Sequence, residues 1–138
     1  MAKPAARKIF VNLPVKDLDK SMAFFKALGF TFNAQFTDET AACMVISDDI
    51  YAMLLTQDKF KQFTPKAIAD ATKSSEVLTC LSAESKDAVN KMADAALKAG
   101  GQKLREPQDY GFMYERSFQD PDGHIWEIMW MDETHVKQ

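Results

Sequence analysis

Residues 8–30, KIFVNLPVKDLDKSMAFFKALGF, change hydrophobic period partway along. From Lys8 to Val15 the pattern is that of a strand: Ile9, Val11, Leu13 and Val15 point one way, and Phe10, Asn12 and Pro14 the other. Asp17 then stands where a carboxylate can cap the free N–H groups of a starting helix. Leu18, Met22, Phe25 and Leu28 recur at helical spacing, and Gly29 stops the helix where a left-handed residue is needed. Three strand-like stretches follow, at 31–36, 41–47 and 50–56, with Asp48 and Asp49 turning between the last two.

The same order returns after Ser75. Val77 to Ser82 reads as a strand. Ser85 caps a helix with Val89, Met92, Ala96 and Ala99 on one face, and Gly100 and Gly101 end it. Strands then fit 102–106, 112–119 and 124–131. Leu13 and Leu81 are 68 apart, whereas Gly29 and Gly100 are 71 apart, so the second helix is longer by roughly one turn. The chain is therefore an internal duplication of a βαβββ unit, α+β in class. Unit one spans about 8–56 and unit two about 76–132, with a polar segment at 57–75 between them. That segment carries a short helix with Phe60, Phe63 and Ile68 as apolar anchors, and suits either plain packing or a pocket lid.

A chain of 138 residues, 46% hydrophobic, is enough for one core, and a single domain over 1–138 is expected. The net charge of −3 is spread without a basic stripe, so neither nucleic acid nor a membrane surface is an expected partner. No apolar run reaches the length of a membrane span and no signal-type apolar region follows the N-terminal charges, so a cytoplasmic location is expected. Cys43 and Cys80 each stand alone in apolar runs, which fits reduced, buried thiols better than a disulfide framework. Cys80 and Ser82 have no His partner in a recognisable pattern, and no Gly-rich phosphate loop occurs, which argues against a Ser or Cys hydrolase.

Two strings, LPVKDLDKSMAFFKALGF at 13–30 and YGFMYERSFQDPDGHIWEIMW at 110–130, together with the repeat, resemble the vicinal oxygen chelate superfamily of glyoxalases, bleomycin resistance proteins and extradiol dioxygenases. Phe25 departs conservatively from the Tyr that many members carry. Taken alone, Asp120-Pro121-Asp122-Gly123 says only that the chain turns, and Asp17 only that a helix starts. Their order and separation carry the resemblance, which covers about 8–132. It implies a half-open, eight-stranded, barrel-like sheet with helices on the convex side and the active site on the concave side. It also implies a homodimer, since relatives cover their edge strands by pairing two chains. Phe60, Phe63, Ile68, Phe112 and Met113 are candidate contacts.

Metal-dependent relatives use one inward position on the first and last strand of each unit. Carried over, these fall on Phe10, Leu54, Leu78 and Glu127, and of the four only Glu127 is a metal donor. A divalent ion needs about three protein ligands, so no metal and no other cofactor is expected, with a divalent metal as the alternative. His124, beside the turn, and His135, in the tail, suit capping or solvated roles.

Glu127 lies in HIWEIMWM, a strand apolar on both sides of it. Facing an apolar pocket unpaired, it would be a candidate catalytic acid or base; paired with Arg116, Arg7 or Arg105, it would be structural. Trp126, Ile128 and Trp130 have the opposite parity and are expected against the helices. The expected ligand pocket comprises Phe10, Asn12, Met44, Leu54, Leu78, Cys80, Tyr114 and Arg116 beside Glu127: mostly apolar with a few polar handles, as small-molecule sites are. The reading is a small-molecule-binding protein of this superfamily. Its alternatives are a metal-dependent lyase or dioxygenase resembling glyoxalase and a non-catalytic scaffold.

Overall fold

The computed structural model describes residue 5 and residues 7–135, with His135 by its backbone alone. The chain divides into two compact units, Met1–Ile68 and Ala69–Gln138, and the division falls inside the segment expected to link the repeats. The first unit contains β1 (Ile9–Val15), α1 (Leu18–Ala27), β2 (Thr31–Phe32), β3 (Ala41–Val45), β4 (Ile50–Thr56) and α2 (Gln57–Lys61). Its sheet runs β1-β4-β3-β2, with β1 parallel to β4 and the other pairs antiparallel.

The second unit contains β5 (Thr79–Ser82), α3 (Lys86–Lys98), β6 (Gln102–Lys103), β7 (Gln108–Asp109), β8 (Met113–Gln119) and β9 (Ile125–Met131). Its sheet runs β5-β9-β8-β6 with β7 also on β8, and β5 is parallel to β9 as β1 is to β4. The architecture is α+β, with two open sheets of four and five strands where eight strands were expected. No helix among the described residues is long and apolar enough to cross a membrane.

The helix ends show why these stretches fold as they do. The Asp17 side chain accepts from Lys20 N at 3.1 Å, and Ser85 Oγ accepts from Ala88 N at 3.0 Å. At the end of α1, Gly29 at φ 101° donates to Lys26 O while Phe30 donates to Phe25 O. The Phe25 and Phe30 rings meet at 6.1 Å, which completes a Schellman stop with its hydrophobic contact. Gly100 and Gly101 repeat the pattern on Leu97 O and Ala96 O at the end of α3. The second helix has 13 residues against 10, the extra turn read from the repeat offsets.

Two expected strands are shortened. After Phe32 the Asn33 side chain accepts from Gln35 N and starts a single 3-10 turn, so a local hydrogen bond displaces the ladder. The stretch 102–106 leaves the sheet after Lys103, and pairing with β8 resumes at Gln108, just past Pro107. Arg105 lies in the resulting bend.

Each sheet has one helix-covered face. In the first unit Leu13 pairs with Leu54, Leu54 with Ala42, and Ala52 with Met44, all of them buried. Lys26 of α1 lies over Phe32, the partner of Met44, which marks this as the helix side. In the second unit Trp126, Ile128 and Phe118 are buried on one face, and Val89, Ala93 and Ala96 of α3 are buried with them. Each large apolar side chain so buried contributes about 1.5–3 kcal/mol.

Candidate functional site

The face of the second sheet opposite α3 carries the polar cluster. Cys80 is the register partner of Glu127 across β5 and β9, and Ser117 is its partner across β8 and β9. Glu115 follows on the same face, two residues before Ser117. From the bend between β6 and β7, Arg105 reaches both carboxylates: Nη2 donates to Glu127 Oε2 at 2.6 Å, and also to Glu115 Oε1. Both glutamate side chains are only 14% exposed. Glu127 is therefore a paired carboxylate, and among the three arginines considered for it the partner is Arg105.

The Ser117 hydroxyl differs from its neighbours. The residue is 6% exposed and its Oγ has no hydrogen-bond partner among the described residues. Cys80 was expected to be buried like Cys43, but it is exposed, because it stands on the face that α3 does not cover. Desolvation first, then the Glu127 and Glu115 charges, push its thiol above the ordinary range. A thiol so shifted is less ionised at neutral pH and is not an activated nucleophile.

Several sequence-predicted pocket residues lie elsewhere. Tyr114 and Arg116 face α3: Tyr114 Oη donates to Asn90 Oδ1 at 2.7 Å, and Arg116 Nη1 donates to Asn90 Oδ1 at 3.1 Å and Asp94 Oδ1 at 2.8 Å. The cause is the hairpin register. Asp120 closes on His124, so odd-numbered residues of β8 pair with odd-numbered residues of β9, and Arg116 shares its face with Ile128 rather than Glu127.

In the first unit Leu54 and Met44, both 0% exposed, are helix-side core. Phe10 instead pairs with Tyr51, their rings stacked at 4.8 Å, and Asn12 pairs with Met53. Phe10 and Leu54 therefore face opposite sides of their sheet. The last strands of the two repeats are related by one residue more than the sequence offset suggested, so the counterpart of Glu127 is Met53. Phe10 is 49% exposed, Asn12 is exposed, and Leu78 is exposed one residue ahead of β5.

At the repeat-related positions the first unit offers one soft thioether, Met53, beside Phe10, and the second offers one carboxylate, Glu127, which Arg105 holds. Among the described residues no three His, Cys, Asp or Glu side chains cluster as an ion site requires. His124 lies in the Asp120 turn, and the side chain of His135 is outside the described residues.

The turn itself is more than a reversal. Asp120 is 4% exposed, and its carboxylate accepts from Asp122 N, His124 N and Trp126 Nε1 at 2.9, 3.0 and 3.1 Å. Burial outweighs these bonds and raises its carboxyl above the ordinary value. Gly123, at φ 88°, lies against the backbone of Ala71 and Thr72, where an added Cβ would come within 2.9 Å.

Comparison with known proteins bears on the whole arrangement. Residues 7–47 match the family of bleomycin resistance protein-like N-terminal segments. A hypothetical protein from S. aureus is 27% identical and superposes with a TM-score of 0.76 over 92% of this chain and 95% of its own. A glyoxalase-related enzyme from Fulvimarina pelagi is 19% identical, with a TM-score of 0.77 over 91% of this chain and 88% of its own. A glyoxalase/bleomycin resistance protein/dioxygenase family enzyme from Burkholderia phytofirmans is 17% identical, with a TM-score of 0.73 over 88% and 96%. The search of curated proteins gives no match. The duplicated βαβββ fold is shared with these glyoxalase and bleomycin resistance structures, and the match over residues 7–47 makes the chain similar to the vicinal oxygen chelate superfamily.

Proposed function

We propose that the chain is a cytosolic small-molecule-binding protein of this superfamily, that its ligand is held on the Glu127 face of the second sheet, and that it works without the metal centre of metal-dependent relatives. The observation that carries the reading is the Arg105 bridge between Glu127 and Glu115. It presents fixed polar groups on a sheet face otherwise lined by Cys80, Ser117 and Met129, a mixture that suits orientation of a small organic ligand. Glu127 acts there as a binding and orienting carboxylate. The partner proposed for the assembly is a second copy of the chain, since β1 and β2 at one sheet's edges and β5 at the other's expose unpaired backbone groups.

Native mass spectrometry of the protein as purified tests the reading in one spectrum. The expected result is a dimer mass with a displaceable organic adduct or none, and no stoichiometric metal. A tightly held divalent ion would favour a metal-dependent lyase or dioxygenase, and a monomer mass at micromolar concentration would remove the second copy.

A further inference from the structure

The cluster on the Glu127 face sets two carboxylates against one guanidinium. Glu115 and Glu127 share the same Nη2 of Arg105, so one formal negative charge is left over among side chains that are largely out of water. The imbalance is felt locally: even with Arg105 in place, both carboxylates act on the Cys80 thiol to disfavour its ionisation. A second, independent feature lies in the same place. Ser117 Oγ, fully buried directly across from Glu127, has neither donor nor acceptor to meet it among the described residues. A buried hydroxyl without a partner is costly, and an uncompensated carboxylate beside it more so. One species relieves both: a cation whose charged group carries more than one N–H donor.

We infer that the ligand of this face is a small organic monocation, a protonated amine or amidinium, whose charge is met by Glu115 and Glu127 and whose remaining N–H donates to Ser117 Oγ. The inference rests on the Glu127 face being the ligand site and adds the charge class of what binds there. Arg105 stays in place and divides the two carboxylates, which sets the limit of one positive charge.

The test is a calorimetric titration of the full chain at neutral pH with three probes of like shape and different charge: benzylamine, benzyl alcohol and benzoate. Benzylamine is expected to bind at least tenfold more tightly than benzyl alcohol, more weakly as salt rises, and benzoate not at all. Glu115→Gln is expected to abolish the preference. Ser117→Ala is expected to weaken benzylamine several-fold while leaving the melting temperature unchanged or raised, since no internal hydrogen bond is lost. Equal or tighter binding of benzyl alcohol or benzoate, lost in Glu127→Gln, would overturn the inference and leave the site standing. Failure of all three probes to bind would overturn both. A marked fall in melting temperature for Ser117→Ala would show that the hydroxyl has an internal role and is not waiting for a ligand.

Discussion

Arg105 donates to Glu127 across 2.6 Å from a bend 22 residues upstream, and the same nitrogen donates to Glu115. The bend lies where pairing with β8 lapses between Lys103 and Gln108. The pairing places the guanidinium 43% exposed while the carboxylates are not, so its energetic weight is that of a partly screened bridge. Glu127→Gln should therefore cost about 1 kcal/mol or less, because Arg105 keeps Glu115 and water. Arg105→Gln should cost more, about 1–2 kcal/mol, short of the ~3–5 of a fully buried pair, because it leaves two carboxylates facing each other. Urea melts of the two variants at neutral pH check the order.

The buried Asp120 carboxylate gives a pH effect. Its raised value means that the folded state holds the proton more firmly than the unfolded chain. Between the ordinary carboxylate value and the raised one, stability contributed by Asp120 falls as pH rises, and above that window the contribution is flat. Asp120→Asn should remove this slope. It also turns an amide N–H toward Trp126 Nε1 or toward a backbone donor, at a cost of about 1–3 kcal/mol. Melting temperature against pH for the two proteins tests both statements.

Gly123 and Gly29 have similar positive φ angles but different surroundings. At Gly29 an added Cβ would meet open space, and at Gly123 it would strike the backbone of Ala71 and Thr72. Gly29→Ala should cost about 1 kcal/mol for the left-handed conformation alone. Gly123→Ala should cost clearly more, with the excess coming from displacement of the 71–72 backbone. Paired chemical denaturation curves measure the difference.

Native thiol labelling should modify Cys80 and spare Cys43. The rate at Cys80 should be low at neutral pH and climb as pH passes the ordinary thiol range, because burial and the two glutamates disfavour the thiolate. Glu127→Gln should speed the reaction. Labelling of Cys43 before unfolding would contradict the burial assignment.

The fold was legible because its signals are local and repeated. Asp17 and Ser85 cap where the pattern places them, Gly29 and Gly100 stop where a left-handed residue is needed, and the 68-residue offset relates Leu13 to Leu81 in matching registers. The site was legible only in part. Glu127 could be found from its strand, but its partners depend on register, and a slip of one residue exchanges the two faces of a strand. That slip put Leu54 in place of Met53, and Tyr114 and Arg116 in place of Glu115 and Ser117. The signal that would have corrected the second hairpin is the DPDG turn: closing Asp120 on His124 sets Ser117 against Glu127. Arg105 carried no such signal, since its reach follows from a break in the sheet pairing whose geometry the sequence does not specify.

Elemental analysis of the dialysed protein beside Glu127→Gln tests most directly whether Glu127 serves an organic ligand and not a metal. The account predicts far less than one equivalent of Zn, Ni, Mn or Fe per chain in both proteins. About one equivalent in the parent protein, absent from Glu127→Gln, would contradict it.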